Sequence, residues 1–368
     1  MNRRSFIIRI LRWLKSIALL SFLPASAVLA AVEPEDEGKL HYRPLKSLTL
    51  KEIATKKIHH GEDGRYLNPL GELRHKRRLG RVLYWKLFKE NRFKSYLADQ
   101  RVIPVALDWG PVKNSSGLSI TFIKHATVMI KDVDRYIIVD PVFNDIFWFI
   151  KDFSPPAFNL KDIPAPDHIL ITHGHYDHID KQSLGHFDKN THVISPLGYN
   201  DIFDDLGMKK QTGMDWYDTY RDGRCEITLL PCNHWTMRSP IQGPNRSLWG
   251  SYVIKTSGGK TIYISGDTAY FDGFEDIGKE FDIDLAVFNL GAYEPRWFMA
   301  PSHINPSETV RAFKELRAKK LMIVHWGTFQ LGDEPVHFPP LDLKKELEKE
   351  GLLDRWVKIK HGETYFMI

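Results

Sequence analysis

The sequence predicts an α/β fold in which β-sheets pack face to face beneath outer layers of helices. From Leu118 onward, short runs rich in β-branched and aromatic residues alternate with helical segments, and these runs fall into two halves. A content of 43% hydrophobic and 26% charged residues over 368 positions is that of a globular chain with a sizeable core. The expected strands cover residues 119–124, 136–140, 168–172, 192–195, 226–231, 250–256, 261–265, 284–289 and 321–325.

A helix is expected at residues 305–318 because its start carries three capping signals. Asn305 takes the N-cap position, Pro306 takes the first helical position, and Glu308 closes a capping box. A prior of about 150 residues per domain allows two domains, but large α/β sandwiches often exceed that length as one. We therefore assign residues 106–368 to a single domain.

The first 32 residues have the organisation of a targeting segment. A positively charged start is followed by an apolar run and by small residues suited to cleavage. The run between Lys15 and Glu33 holds about 17 residues and contains Pro24, whereas a transmembrane helix needs about 20. The Arg3-Arg4 pair also resembles a twin-arginine export signal. Residues 1–32 are thus predicted to be a signal peptide or, alternatively, an uncleaved membrane anchor.

The net charge of +5 is unevenly distributed. Residues 37–101 carry a net charge of +10, whereas residues 102–368 carry −7. An acidic body argues against a nucleic-acid partner. We assign residues 33–105 to a basic extension that packs on the following domain.

Within this extension, residues 74–97 interleave cations with aromatic and aliphatic side chains. Tyr84, Leu87 and Phe88 recur at helical spacing, which is typical of a basic amphipathic helix. Such a helix either adsorbs to an anionic lipid surface or packs on the protein with a solvated cationic face. The sequence leaves both interpretations open.

Three histidines and one aspartate occur within six residues at 173–178, HGHYDH, directly after an expected buried strand. In a compact turn, His173 and His175 can point one way while Asp177 and His178 point another. That arrangement allows two metal ions a few ångströms apart. The string is too rare at this composition to be treated as an ordinary polar turn.

Further metal-ligand candidates share one position, the end of an apolar strand, where parallel sheets place their functional sites. They are His234, Asp267 and His325. Asp140 also ends an expected strand, and we interpret it as a support for a ligand rather than a ligand itself. The only cysteines, Cys225 and Cys232, exclude a disulfide scaffold and a cysteine-based zinc cluster, and whether they pair is left open.

These motifs give the chain a resemblance to metallo-β-lactamase-fold hydrolases, in which THGHYDH, a single histidine, SGDT and a final histidine occur in this order. Within that family it is similar to the N-acylphosphatidylethanolamine-hydrolysing phospholipases D, and the likeness covers roughly residues 60–366. It rests on WGPV at 109–112, HATVM at 125–129, GDT at 266–268, GAYEPRWFM at 291–299, HWGTF at 325–329 and KHGE at 360–363. The fold implied is a four-layer αβ/βα sandwich with residues 106–368 as its catalytic domain.

The resemblance implies a division of the ligands between two zinc ions per subunit. His173, His175 and His234 would hold one ion, Asp177, His178 and His325 the other, and Asp267 would bridge them. Asp177, Asp267 and His303 are the expected catalytic residues. His303 would orient substrate or donate a proton, unless it is an ordinary loop histidine.

Zinc would lower the pKa of a bridging water, so that hydroxide attacks the phosphorus of a phospholipid and releases an alcohol. Arg296 is expected to hold the phosphate, with Trp297 and Phe298 lining an acyl groove. The alternative for these three side chains is core packing and a structural ion pair. Gly174 departs from the family pattern, which has an amide residue at this position. The N-terminal segment is a second departure. We therefore expect a bacterial relative whose physiological lipid substrate differs.

The function expected is therefore that of a zinc-dependent phosphodiesterase of phospholipase D type. Its partners would be a phospholipid substrate and a membrane surface in the periplasm or cell envelope, and a homodimer is left open. A lactonase acting on a small sugar or signalling lactone is the alternative enzyme. A third hypothesis is a catalytically silent envelope scaffold that keeps its metal for folding.

Overall fold

The computed structural model describes residues 48–71, 85, 89–239 and 241–367. Residues 48–71 and 92–367 belong to one compact unit, and residues 85 and 89–91 belong to a second. The predicted targeting segment lies outside the described residues, and so do residues 74–84 and 86–88 of the predicted basic helix, which include Tyr84, Leu87 and Phe88. The division into leader, extension and catalytic domain stays a prediction.

Thirteen strands occur in the described part of the chain. They are β1 (Leu118–Lys124), β2 (Thr127–Asp132), β3 (Arg135–Val139), β4 (His168–Leu170), β5 (His192–Pro196), β6 (Lys210–Met214), β7 (Thr219–Arg221), β8 (Glu226–Leu230), β9 (Ser251–Lys255), β10 (Thr261–Ile264), β11 (Leu285–Asn289), β12 (Lys320–Val324) and β13 (Thr364–Met367). All nine predicted strands are present, within one or two residues at each end.

Nine α-helices accompany these strands in the described residues. They are α1 (Leu50–Thr55), α2 (Lys94–Leu97), α3 (Gly110–Asn114), α4 (Lys181–Leu184), α5 (Asn200–Asp205), α6 (Gly273–Glu280), α7 (Arg296–Met299), α8 (Pro306–Glu315) and α9 (Pro339–Lys349). Short 3₁₀ helices occupy Leu160–Asp162 and Leu353–Arg355. Helix α8 has the predicted N-cap at Asn305 and the predicted capping box with Glu308. Among the described residues, none of the helices is long and apolar enough to cross a bilayer.

The strands form two sheets of similar design. The first has the order β13-β1-β2-β3-β4-β5-β6, and the second has the order β12-β11-β10-β9-β8-β7. In each sheet an antiparallel portion continues into parallel strands: β3, β4, β5 and β6 are parallel neighbours in the first, and β10, β11 and β12 in the second. Strand β13, from the end of the chain, closes the antiparallel edge of the first sheet.

Alternating side chains of the first sheet enter two separate cores, as the period of a strand requires. Leu170 and Ile194 are fully buried in the larger core, which also holds Ile227 and Ile262 of the second sheet. Ile169 lies in a second core with side chains of α3, α4 and α5. Helices α6, α8 and α9 bury apolar side chains in the larger core. The structure thus has the predicted four-layer sandwich. Both cysteines are free and buried.

Four strands were not predicted, for two physical reasons. Strands β6, β7 and β13 lie at or near sheet edges and keep partly exposed side chains, so they lack a clear apolar pattern. Strand β2 is buried throughout but ends in Lys131 and Asp132. The Lys131 ammonium donates to the carbonyl oxygens of Val112 and Lys113, which lets a cation lie inside the fold.

The topology brings several strand ends to one edge of each sheet. In the first sheet β1, β3 and β4 run in the same direction, and in the second β8, β10, β11 and β12 do so. A bridge between His125 and Trp326 joins the ends of β1 and β12 across the two sheets. The residues that follow these strands therefore meet in one place.

Candidate metal centre

The predicted metal ligands all lie on loops at this common edge. The 173–178 loop follows β4, His234 follows β8, Asp267 follows β10, and His325 directly follows β12. His125, which the sequence analysis did not single out as a ligand, directly follows β1. Together these residues form two groups whose potential ligand atoms lie within 4.8 Å of one another.

The first group consists of His173, His175, His234 and Asp267. Nδ1 of His175 lies 2.9 Å from Nε2 of His173 and 3.2 Å from Nε2 of His234. A tetrahedral zinc ion with Zn–N bonds of 2.0–2.1 Å holds its ligand atoms about 3.3 Å apart. Both distances are close to the spacing of ligand atoms around a tetrahedral metal ion.

The second group consists of His125, Asp177, His178 and His325. Oδ2 of Asp177 lies 3.6 Å from Nε2 of His178 and 3.4 Å from Nε2 of His325. All four side chains are largely or wholly buried. The group differs from the expected second set by the addition of His125.

Asp267 lies between the two groups. Its Oδ1 is 3.3 Å from Nε2 of His325, and its Oδ2 is 3.4 Å from Nε2 of His178. The same Oδ2 is 3.8 Å from Nε2 of His173. The carboxylate therefore contacts ligand candidates of both groups, the position that a bridging ligand requires.

Unpaired ring nitrogens support the assignment of this centre to metal binding. Nε2 of His178 and Nε2 of His325 are buried without a hydrogen-bond partner among the described residues. A buried polar atom without a partner costs free energy comparable to a lost hydrogen bond. Both atoms lie within 3.4 Å of an Asp267 oxygen. A cation among these groups would satisfy both nitrogens and both carboxylates at once.

Three residues of the centre have a left-handed backbone conformation. The φ angles of His125, Asp140 and His325 are 49°, 43° and 69°, and each residue directly follows a strand. Non-glycine residues with such angles cost of order 1–3 kcal/mol each and cluster at functional sites. Here the sharp turn at the strand end directs a ligand or its support toward the centre.

Asp140 fixes the orientation of His178. Its Oδ2 lies 2.7 Å from Nδ1 of His178, which leaves Nε2 of that ring facing the carboxylates of the centre. Asp140 in turn accepts hydrogen bonds from the backbone N–H and the hydroxyl of Thr172. The structure therefore places Asp140 behind a ligand candidate, where the sequence analysis expected it.

Two other contacts orient members of the first group. Nδ1 of His234 lies 3.0 Å from the carbonyl oxygen of Ser302, so its Nε2 faces His175. The amide of Asn289 donates to Oδ1 of Asp267 at 2.9 Å. Asn289 ends β11, and neither Asn289 nor Ser302 was predicted to take part in the site.

The charge states of His173, His234 and Asp267 are those of metal ligands. Burial, together with neighbouring histidines, holds the pKa of His173 and of His234 well below the usual value, so both rings are neutral. Burial opposes the ionisation of Asp267, but His325 and His178 outweigh it and hold the pKa of Asp267 well below its usual value. Neutral imidazole and ionised carboxylate are the ligand forms that zinc and related divalent metals bind. Burial opposes the protonation of His178, but the carboxylates of Asp267 and Asp177 outweigh it and hold the pKa of His178 well above its usual value, so a metal bound there would displace a proton.

His303 lies at the rim of the centre. Its Nδ1 is 3.9 Å from Oδ2 of Asp267, and its ring packs edge-on against His234 at 5.5 Å. The side chain keeps 17% of its surface exposed, and burial lowers its pKa to about 4. A neutral, partly accessible imidazole at this position suits the predicted contact with substrate.

The three predicted substrate residues lie on α7, beyond His303. Nη2 of Arg296 donates to both carboxylate oxygens of Glu308, and Nη1 donates to the carbonyl oxygens of Tyr293 and His303. The guanidinium of Arg296 is thus paired within the protein, which agrees with the alternative of a structural ion pair. A contact of Arg296 with the substrate phosphate stays a prediction. Trp297 and Phe298 are partly exposed, with ring centroids 5.5 Å apart.

His125 was overlooked although the signal that identified the others applies to it. It is a histidine at the end of an apolar strand, LSITFIK, as His325 is at the end of KLMIV. In the sequence, His125 drew attention only as the first residue of the HATVM motif at 125–129. Asn289 ends a strand in the same way, but an amide carries no comparable signal for metal chemistry.

This fold and this centre define a metal-dependent hydrolase. A family model described as "Beta-lactamase superfamily domain" matches residues 135–326. The chain is 30% identical, over 76% of its own length and 85% of the other protein's, to a Caenorhabditis elegans protein named N-acyl-phosphatidylethanolamine-hydrolyzing phospholipase D 1. The chain belongs to the metallo-β-lactamase superfamily.

A second relative and two solved structures agree with this family. A mitochondrial protein of Saccharomyces cerevisiae with the same phospholipase D name is 32% identical over 62% of this chain, which spans about half of that protein (51%). An isothiocyanate hydrolase from Delia radicum gut bacteria has a TM-score of 0.56 at 18% identity, covering 68% of this chain and 100% of that one. A metallo hydrolase of Ignicoccus hospitalis has a TM-score of 0.52 at 18% identity, covering 68% and 98%. These structures show the fold alone.

Proposed function

We propose that this protein is a zinc-dependent phosphodiesterase that hydrolyses N-acylphosphatidylethanolamine-type glycerophospholipids with the regiochemistry of a phospholipase D. The observation that carries the proposal is the carboxylate of Asp267, which lies between two groups of metal-ligand candidates. The relatives named for this reaction, at 30% and 32% identity, support the choice of substrate.

His173, His175 and His234 would hold one zinc ion, Asp177, His178 and His325 the other, and Asp267 both. Zinc bound there supplies a water of lowered pKa and stabilises the negative charge that develops on a phosphoryl group. In the reaction, a water oxygen bonds to phosphorus, the bond from phosphorus to the N-acylethanolamine oxygen breaks, and a proton passes to that oxygen. The products are phosphatidic acid and an N-acylethanolamine.

The side chains around the centre supply orientation rather than a covalent nucleophile. Asp140 and Ser302 hold the rings of His178 and His234, so the ligand atoms are positioned before substrate arrives. His303, neutral near pH 7 and partly exposed, is suited to hydrogen-bond a phosphoryl oxygen or the leaving oxygen. Cys232 is buried, and burial raises the pKa of its thiol well above the usual value, which argues against a nucleophilic role.

An apolar rim beside the centre suits a substrate with acyl chains. The ring of Trp235 packs edge-on against that of His175 at 4.8 Å, and Trp297 and Phe298 are partly exposed on α7. Aromatic side chains offer large apolar contact surfaces with little loss of conformational entropy. We assign Trp297 and Phe298 to contact the acyl part of the lipid. A periplasmic or envelope location at a membrane surface is part of the same proposal.

The test is hydrolysis of N-acylphosphatidylethanolamine in mixed micelles by purified, zinc-loaded full-length protein, with products identified by mass spectrometry. We expect phosphatidic acid and N-acylethanolamine, loss of both on chelation, and recovery with added zinc. Asp177→Asn, verified as folded by circular dichroism, should lower the rate at least 100-fold. Absence of product with metal bound, or hydrolysis of lactones without hydrolysis of phosphodiesters, would contradict the proposal. Release of diacylglycerol would contradict the regiochemistry.

A further inference from the structure

We propose that an exposed group of aromatic rings beside the metal centre docks the protein on the surface of a phospholipid bilayer. The group, called the aromatic ridge here, consists of Phe147, Trp148, Phe149 and Tyr176. The inference rests on the proposed function, because an enzyme whose lipid substrate lies in a bilayer must reach the membrane surface. Its physical basis is independent of the reaction.

The rings of the ridge are in contact with one another and with solvent. Phe147 stacks on Phe149 at 5.3 Å, Trp148 packs edge-on against Phe149 at 5.5 Å, and Phe147 lies 5.0 Å from Tyr176. Trp148 exposes 91% of its surface and Phe149 exposes 65%. Scattered exposed apolar residues are ordinary, but several large rings in one patch mark an interaction surface.

The ridge lies next to the metal centre on two sides. Tyr176 belongs to the loop after β4 and stands between the ligand candidates His175 and Asp177. At the other side, the N–H of Phe153 donates to the carbonyl oxygen of Thr328, three residues after His325. A surface that rests on this ridge therefore adjoins the loop that carries His175 and Asp177 and lies near the loop that follows His325.

The segment that carries the ridge is firmly held at its base. The ammonium of Lys124 is fully buried and pairs with the carboxylate of Asp152. The hydroxyl of Ser154 lies 2.6 Å from that of Thr328. The exposed rings thus belong to a segment that is held to the rest of the fold, and not to a free chain end.

The chemistry around the ridge fits a phospholipid surface. Tryptophan and other aromatic side chains prefer the region where lipid head groups meet acyl chains. Lys151 follows the ridge with its ammonium 4.6 Å from the ring centre of Phe153, and Arg101 is exposed beside Val102 and Ile103, which are also exposed. Neither cation has an ion-pair partner among the described residues, so both are available to lipid phosphates.

A backbone hydrogen bond links the exposed residues 101–103 to the segment that carries the aromatic ridge. The N–H of Ile103 donates to the carbonyl oxygen of Phe153 at 2.8 Å, which places residues 101–103 beside the end of the segment that carries the ridge. Apolar rings flanked by cations that have no ion-pair partner in the described part of the chain form the pattern of an interfacial lipid contact. A protein partner would also bury the rings, but it would not make them respond to lipid vesicles.

The experiment places a fluorescent reporter on the ridge of the full-length protein. In Phe149→Cys, a polarity-sensitive maleimide dye should label the new position selectively, because Cys225 and Cys232 are both buried. Vesicles of phosphatidylcholine with a minority of phosphatidylglycerol should shift the emission to the blue. Leu353→Cys is the matched control, because Leu353 is also an exposed apolar residue but lies near the start of β12, at the end away from His325. The control should show no shift.

A second measurement uses Trp148→Ser/Phe149→Ser with the metal centre intact. Hydrolysis of the lipid in vesicles should fall at least tenfold, while hydrolysis of a soluble bis(4-nitrophenyl) phosphate probe should stay within twofold. An unshifted dye on Phe149→Cys, or equal shifts on both labelled positions, would overturn the inference. So would self-association through the ridge without vesicle binding. A blue shift without any phosphodiester hydrolysis would instead contradict the proposed function and leave the docking surface standing.

Discussion

Nε2 of His125 lies 3.0 Å from Oδ2 of Asp177, the oxygen that also faces His178 and His325. His125 directly follows β1, whereas Asp177 lies in the loop after β4, and β2 and β3 separate these two strands in the sheet. The contact therefore joins the 173–178 loop to the end of a strand that is not its neighbour. The carbonyl oxygen of His125 also accepts a hydrogen bond from the N–H of His325 at 2.7 Å. One residue thus holds two members of its group, either as a ligand itself or as their support.

The first prediction concerns this contact. His125→Phe keeps a ring to pack against His325 and Phe329, which lie 4.1 and 4.9 Å away, but it removes the nitrogen that meets Asp177. We expect metal affinity to fall about 10–100-fold, as for other supports of metal ligands. Because one group is affected, elemental analysis after mild chelation should find one ion lost before the other. His186→Gln, at an exposed position, should bind metal like the wild type. Unchanged affinity in His125→Phe would refute the assignment.

The sequence was sufficient to predict the fold and to single out the seven ligand candidates that the structure brings together, because both depend on local signals. Their role as metal ligands stays a prediction. Apolar strands with a histidine or aspartate at their ends can be identified one segment at a time. Contacts between distant residues carry no such signal. The pairs Arg296 with Glu308 and His59 with Asp215, 12 and 156 residues apart, result from the packing of separate elements. For the same reason the sequence could name Arg296 as a phosphate ligand but could not tell that its guanidinium is already paired.

The second prediction tests the role of Arg296. Its guanidinium binds both carboxylate oxygens of Glu308 and the carbonyl oxygen of His303, so Arg296→Gln should loosen the loop that carries His303. We expect a loss of about 1.5–3 kcal/mol in the free energy of unfolding, the range for hydrogen bonds to charged groups. In a double-mutant cycle with Glu308→Gln, the two losses should be clearly less than additive. Additive losses, together with a rise in KM for Arg296→Gln alone, would favour a direct contact of Arg296 with the substrate phosphate.

The third prediction concerns a polar cluster away from the metal centre. Asp215 binds His59 at 2.5 Å and His60 at 2.8 Å, and it also pairs with Lys57. Burial alone would raise the pKa of Asp215, but the hydrogen bonds from His59 and Lys57 outweigh it and hold that pKa well below the usual value of 3.8. The ionised carboxylate therefore stabilises the fold above about pH 4, and this contribution is lost as the pH falls through the lowered pKa.

Chemical denaturation between pH 3 and pH 7 checks this prediction. Asp215→Asn should be about 1.5–3 kcal/mol less stable than the wild type at pH 7, and the difference should shrink as the pH is lowered below about 4. Protonation of the metal ligands affects both proteins alike and cancels in the difference. Asp63→Asn, whose carboxylate is 63% exposed and pairs with Arg65, is the control and should change stability by less than about 0.5 kcal/mol. A pH-independent difference would exclude ionised Asp215 as the cause.

The fourth prediction concerns Gly174, at which the family resemblance leads us to expect an amide residue instead of glycine. A Cβ atom at this position would lie 2.7 Å from the hydroxyl oxygen of Thr236 and 2.7 Å from a ring carbon of Tyr199. Tyr199 is buried and its hydroxyl donates to the carbonyl oxygen of Leu248, so the ring has little freedom to move. Gly174→Ala should therefore cost about 1–3 kcal/mol through overpacking.

Because Gly174 stands between His173 and His175, that strain should also weaken metal binding, and Gly174→Asn should have the larger effect on both quantities. Gly258→Ala is the matched control, since a Cβ there would meet no described atom within 4 Å. Thermal unfolding of the metal-loaded proteins and chelator competition provide the two measurements. If Gly174→Asn were as stable and as well metallated as the wild type, the space beside the metal loop would be able to hold the family's amide. The packing of Tyr199 and Thr236 would then not explain the glycine. The expected result is that these two side chains occupy that space and make glycine the residue that fits.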